Sequence, residues 1–249
     1  MDHDQTMNKS TLWIFGDSFS YTNTSIPNNP IKNWVNYLAE KLNVTLNVNS
    51  PRGSSIGWMM YTSMKLRHEY NEDDFIIFQT TSPDRGFLSK ENPSFSKPDS
   101  WTSLSKNQQQ GYNFYLTDIH DFEVLKMQFQ SWIHAMAYYT KHLKLKPLLT
   151  TAWDLGAIEM PDKWRKCKGN LYEISLKEYS GSLSKTMMFF RDAPFDPQRF
   201  NHFSTCNHHN IADIYYQAFC NETYVPDFTK LEQNIYNEYP GLAQKKNER

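Results

Sequence analysis

Leu12-Trp13-Ile14-Phe15-Gly16-Asp17-Ser18 is a short apolar run that stops in a glycine turn. Four large apolar residues without polar alternation read as a buried strand, and Gly-Asp-Ser as the tight turn that ends it. Phe75-Ile76-Ile77-Phe78 repeats the pattern after a polar turn, Asn71-Glu72-Asp73-Asp74. A strand apolar on both faces is what the centre of a parallel sheet requires, because helices cover each side of it. Thr45 to Asn49 and Lys146 to Trp153 are two further strand candidates, with Pro147 placed near the start of the second.

The segments between them carry a helical period. Trp34, Leu38 and Leu42 recur four apart and predict a short amphipathic helix. Ser54 or Ser55 caps a helix expected to run to about Tyr70. Residues 119–143 form the longest helical candidate, with Phe129, Ile133 and Met136 on its apolar stripe. Residues 205–219 form another, carrying Ile211, Ile214, Tyr215 and Ala218. A last short strand is expected at residues 187–190 and a final helix at 228–239. Strands alternating with helices predict an α/β fold, a three-layer α/β/α sandwich around a mostly parallel sheet. The chain of 249 residues is expected to be one domain. An irregular insertion, rich in Ser, Pro, Asn and Gln, is placed at about 82–115, and a helical extension at about 227–249.

Composition removes several classes of function. Lys and Arg number 26 against 27 Asp and Glu, a formal net charge of -1, so no whole-molecule field draws the chain to nucleic acid or an acidic membrane. The 15 Tyr, 16 Phe and 7 Trp supply a core that a disordered chain lacks. No apolar run approaches the roughly 18 residues of a membrane span. The polar N-terminus has no basic region followed by an apolar run, so a signal peptide is not expected. The expected location is cytoplasmic, or a particle assembled there such as a virion. Cys167, Cys206 and Cys220 form neither a disulfide framework nor a zinc spacing. Asp118, His120 and Asp121 lack a settled metal geometry, and no nucleotide-binding fingerprint is present, so neither metal nor cofactor is expected.

Ser18 and His202 are the leading candidates for chemistry. A serine at the carboxyl end of a parallel strand points into the crevice where such sheets bind ligands. The same tripeptide also describes an ordinary helix-capping serine. A nucleophilic serine needs a base. His202, in Asn201-His202-Phe203-Ser204, lies in a loop just before the last major helix. His208 and His209 fall inside that helix and read as packing or surface residues.

Taken together, the blocks at the two ends resemble the SGNH hydrolases, also called GDSL esterases and lipases. The first block is Trp13-Ile14-Phe15-Gly16-Asp17-Ser18-Phe19-Ser20 and the last is His202-Phe203-Ser204 with Asn207-His208. The resemblance implies a flavodoxin-like α/β/α fold, Ser18 as nucleophile and His202 as base. It implies that Asp17 fixes the turn around the serine. It also implies that the backbone amides of Ser18 and Gly53 face the oxyanion. The family's asparagine after the third strand is missing. The strand runs into Thr80-Thr81-Ser82-Pro83-Asp84-Arg85, so Thr81 or Ser82 takes that place. This Thr-Ser-Pro-x-Arg form resembles a divergent branch of bacteriophage and environmental sequences.

The family's acid, three residues before the histidine, is replaced by Arg199. Asp196 is the first alternative. A Ser-His dyad supported by Asn201 or a carbonyl is the second, and Asp192 or Asp154 the third. Arg85 would hold an anionic substrate group or brace the insertion, and Trp153 would line an acyl or sugar pocket or pack in the core. The implied activity is cleavage of a carboxylic ester, with an acetyl ester on carbohydrate as one substrate class, through an acyl-enzyme. The expected partner is therefore a small-molecule or glycan ester. The competing reading is a weakly active or inactive module of the same fold, glycan-binding or structural in a virion.

Overall fold

A computed structural model describes residues 9–17, 19–20, 32–51, 54–82, 105–107, 109–110, 121–151, 159, 161, 167–171, 203 and 205–231. The strands are β1 (Thr11–Phe15), β2 (Thr45–Asn49), β3 (Phe75–Thr80) and β4 (Lys146–Thr151). The helices are α1 (Trp34–Leu42), α2 (Ile56–Lys65), α3 (Phe122–His142) and α4 (Thr205–Cys220), followed by a 3-10 turn at Phe228–Lys230. The sheet order is β2-β1-β3-β4 and every pairing is parallel. Ile14 sits in register with Val48 on one side and Ile77 on the other.

The chain leaves β1 toward β2, then returns past β1 to reach β3. Right-handed crossovers in opposite directions put their helices on opposite faces of the sheet. The two core clusters show this division. Leu12, Ile14, Ile77 and Leu148 pack with α1 and α4 through Trp34, Leu38, Ile211 and Tyr215. Trp13, Phe15, Ile76, Phe78 and Leu149 pack with α2 and α3 through Met59, Phe129, Ile133 and Met136. Adjacent strand residues point to opposite faces, so unbroken apolar runs such as Leu12–Phe15 feed both cores. The expected α/β/α sandwich with a flavodoxin-like strand order is the one observed.

Local signals set the helix ends. Asn33 caps α1 in a capping box with Asn36, and Asn43 closes it in the left-handed region at φ 54°. Ser55 caps α2 by accepting from the Trp58 amide at 3.2 Å. Asp121 caps α3 by accepting from the amides of Glu123 and Val124. Helix α2 ends at Lys65, short of the expected Tyr70. Tyr70 instead turns back so that its hydroxyl donates to the Ser63 carbonyl at 2.9 Å, while its ring meets Trp13 edge-on at 4.8 Å.

Strand β3 outlasts its apolar run by two residues. Gln79 and Thr80 pair with Thr150 and Thr151 of β4, and the Thr80 hydroxyl donates to the Thr150 carbonyl at 3.0 Å. The expected strand at 187–190 lies outside the described residues, as do residues 83–104 of the insertion and 232–249 of the extension. Among the described residues, no helix is long and apolar enough to cross a membrane.

Candidate functional site at the switch point of the sheet

Strand order reverses between β1 and β3, and the crevice beyond their carboxyl ends is where open α/β sheets bind ligands. The geometry there follows from where pairing stops. The β1–β3 ladder ends at Phe15 and Phe78, while β3 stays paired to β4 through Thr80. The Gly16 amide turns the other way and donates to the Asn49 carbonyl of β2 at 3.2 Å. The two central strands therefore part just past Phe15, and side chains span the opening.

Asp17 is the centre of that span and is fully buried. Its Oδ1 accepts from the Phe19 amide at 3.1 Å and from Gln79 Nε2 at 2.8 Å. Its Oδ2 accepts from the Thr81 hydroxyl at 3.1 Å. Gln79 and Thr81 are two apart on an extended chain, so their side chains leave the same face and both reach one carboxylate. Gln79 is itself fully buried, and among the described residues its Oε1 has no hydrogen-bond partner. An acceptor stripped of water without a donor costs about 1–3 kcal/mol. Packing alone therefore does not explain a glutamine there, whereas the contact to Asp17 needs its amide N–H.

Hydroxyls close around the turn. The Ser54 hydroxyl donates to the Gly16 carbonyl. Ser20 Oγ lies 2.9 Å from Ser50 Oγ, and its amide donates to the Asp17 carbonyl at 3.1 Å. A Cβ on residue 16 would meet Ser20 Oγ at 2.1 Å, Gln79 Cβ at 3.1 Å and Ser50 Oγ at 3.2 Å. Gly16 is required by this close approach rather than by an unusual φ.

The C-terminal block meets the N-terminal one here. The rings of Phe19 and Phe203 are 5.7 Å apart, and both residues are buried. Trp34 Nε1 donates to the Phe19 carbonyl at 2.7 Å, and the Trp34 amide donates to His208 Nδ1 at 3.3 Å. His208 is buried, whereas the exposed His209 stacks on Tyr37 at 3.7 Å. The start of α1, the loop after β1 and the first turn of α4 are thus tied together. On the far side, Tyr215 of α4 reaches Thr150 of β4 hydroxyl to hydroxyl at 2.6 Å, and burial pushes its phenol well above the ordinary range.

Of the expected site residues, Thr81 and Ser82 are described. Thr81 is buried with its hydroxyl on Asp17, and Ser82 is half-buried next to it. Ser18, Gly53, Arg85, Trp153, Asp196 and His202 lie outside the described residues, as do Asp154, Asp192, Arg199 and Asn201. Asp17, whose implied role is to fix the turn around Ser18, is itself held by Phe19, Gln79 and Thr81. Gln79, Ser20, Ser50 and Ser54 are site residues that the sequence does not single out for this role. The alternation Gln79-x-Thr81 beyond an apolar strand is the signal that points to the first. Among the described residues, no cluster of three or more His, Cys, Asp or Glu is arranged to hold a metal ion.

No protein-family model matches the chain, and no curated protein matches it. Among the solved structures that resemble it, two align at 12% identity. A protein ascribed to the G-D-S-L lipolytic family, from Desulfitobacterium hafniense DCB-2, aligns over 72% of this chain and 67% of its own with a TM-score of 0.33. A carbohydrate esterase family 2 enzyme with a carbohydrate-binding domain, from Corynascus thermopiles (Myceliophthora fergusii), aligns over 86% of this chain and 66% of its own with a TM-score of 0.40. Likeness at this level carries no functional argument, and the site stands on its own residues.

Proposed function

We propose that this chain is a serine hydrolase of the SGNH type that cleaves a carboxylic ester, with Ser18 as nucleophile and His202 as base. The observation that carries the reading is the contact between Phe19 and Phe203. These residues immediately follow Ser18 and His202, which are 184 positions apart by subtraction of their numbers. A buried ring contact between the two successors supports the convergence of the two blocks at the sheet's switch point, where a parallel α/β fold holds its reactive groups.

In this reading Ser18 Oγ attacks the ester carbonyl while His202 accepts its proton. The amides of Ser18 and Gly53 donate to the oxyanion. The Thr81 hydroxyl is engaged by Asp17, so Ser82, just beyond β3, is carried forward as third donor. His202 returns the proton to the departing alcohol. Water then attacks the acyl-enzyme by the same relay, and the carboxylic acid leaves. Asp196 orients His202 in the triad version, and a carbonyl or Asn201 does so in the dyad version. Arg85 and Trp153 are assigned to the substrate side, and an acetylated carbohydrate is the first substrate class to test.

The test is labelling with a fluorophosphonate, read by intact mass, alongside hydrolysis of p-nitrophenyl acetate. The expected result is one adduct on Ser18, absent from Ser18→Ala, with turnover reduced about 10³-fold or more in Ser18→Ala and His202→Ala. Labelling elsewhere, or no labelling of folded protein, rejects the hydrolase reading and leaves the binding or structural module. Equal turnover in wild type and Asp196→Asn removes Asp196 from the triad.

A further inference from the structure

We infer that Gln79 and Thr81 are positioning residues for the nucleophile, acting from β3 through Asp17. The inference rests on the serine-hydrolase reading of Ser18. The β1–β3 ladder ends at Phe15 and Phe78, so among the described residues no main-chain ladder holds Gly16 and Asp17 against β3. Two side-chain contacts cross the opening, Gln79 Nε2 to Oδ1 at 2.8 Å and the Thr81 hydroxyl to Oδ2 at 3.1 Å. Each grips a different oxygen, and together they stop the carboxylate from rotating. The Phe19 amide adds a third contact to Oδ1 at 3.1 Å, which spans Ser18. Asp17 is the chain neighbour of Ser18, so a change in how Asp17 is held is passed on to the residue proposed as nucleophile. Strand β3 thus acts on the turn through hydrogen bonds to its carboxylate.

The arrangement makes a specific demand on residue 79. Its Oε1 accepts from no donor among the described residues, so an oxygen there loses none of them on substitution. Its Nε2 must present a proton to Asp17. Gln79→Glu keeps the shape and the oxygen but replaces the N–H with a group that carries a proton only when protonated. Two carboxyls at this separation hold one proton between them, and its release is pushed above the ordinary carboxylate range. The contact survives while the pair keeps that proton and turns repulsive as pH rises and the proton leaves. Wild type has no such step, because an amide does not titrate.

The experiment measures the rate of fluorophosphonate labelling of Ser18 against pH in wild type, Gln79→Glu and Thr81→Val, with the melting temperature followed at each pH. Taking the ratio of variant to wild-type rates cancels the titration of the shared base. The expected ratio for Gln79→Glu is within about threefold of unity on the acid side and falls at least tenfold through one proton step as pH rises. Thr81→Val is expected to label about tenfold more slowly at every pH while remaining folded. A pH-independent Gln79→Glu ratio near unity overturns the inference and leaves the hydrolase reading intact. So does a ratio that changes only where the protein has melted, since that marks a purely structural contact. Wild type that is folded yet unlabelled rejects the hydrolase reading first, and the positioning role with it.

Discussion

Asp74 offers the sharpest test of how the sheet is held at its amino-terminal end, opposite the candidate site. It is fully buried and accepts three hydrogen bonds. Oδ1 takes the Thr11 amide at 2.8 Å, and Oδ2 takes Trp13 Nε1 at 2.9 Å and the Asn71 amide at 3.0 Å. The side chain thus fixes the starts of β1 and β3 and the indole that packs between β1 and α2. Asp74→Asn is nearly isosteric but cannot serve all three donors. If its oxygen stays on Trp13 and Asn71, its NH2 faces the Thr11 amide. If the amide flips, its NH2 faces the other two.

At least one charge-assisted hydrogen bond is lost, and such bonds contribute about 1.5–3 kcal/mol each. We therefore expect Asp74→Asn to lower stability by about 2–3 kcal/mol. For a chain of this size that is a fall in melting temperature of roughly 5–10 °C. Asp74→Ala, which strands all three donors, should cost more than 4 kcal/mol, near the upper end of single substitutions. Urea unfolding followed by tryptophan fluorescence measures both, and labelling of Ser18 under folding conditions should be unchanged. A change below about 0.5 kcal/mol for Asp74→Asn would refute the argument that this carboxylate is needed to join the strand starts.

Two further outcomes follow from contacts on the page. Gly16→Ala should destabilise the fold by about 1–3 kcal/mol and slow Ser18 labelling, because its Cβ meets Ser20 Oγ at 2.1 Å. Adding Ser20→Ala should recover part of both losses, and no recovery would locate the clash elsewhere. Burial raises the phenols of Tyr70 and Tyr215. A raised folded-state value means their contribution is fully present below the unfolded value of about 10 and is lost as pH rises beyond it. Chemical denaturation should therefore show stability falling above about pH 10, with late phenolate absorbance appearing only as the protein unfolds. Ionisation of all 15 tyrosines in one ordinary step with the fold intact would count against it.

Much of this fold is legible where apolar runs and caps coincide. Leu12–Phe15 and Phe75–Phe78 declare themselves as central strands because both faces are covered. Ser55 and the four-residue spacing of Trp34, Leu38 and Leu42 place α2 and α1. The burial of the polar end of β3 is not legible in the same way. Gln79 and Thr80 are polar, and hydropathy cannot separate a buried polar strand end from a loop. Only their partners, Asp17 and Thr150, explain their burial. Asp74 reads as part of a polar turn because two of its three donors lie 61 and 63 residues away. His208 shows a related limit, since a helical histidine betrays neither burial nor the Trp34 amide it accepts from. Within the site, Gly16-Asp17-Ser18 marks the turn, but which groups grip Asp17 depends on β1 and β3 becoming neighbours.

The hydrogen bond from Trp34 to His208 has a kinetic consequence. It joins residues 174 apart, whereas the Trp13–Asp74 bond joins residues 61 apart. Loop-closure entropy grows as (3/2)RT ln n, so the longer closure costs about 1 kcal/mol more when made directly from the open chain. Sheet contacts among β1, β2 and β3 shorten the effective loop first. Docking of α4 then belongs late in the folding order, after the central strands have paired. Nascent or partly folded chains would hold a formed β1–β3 scaffold whose Phe19 awaits Phe203. Refolding should accordingly show central-sheet protection from hydrogen exchange before protection of the first turn of α4.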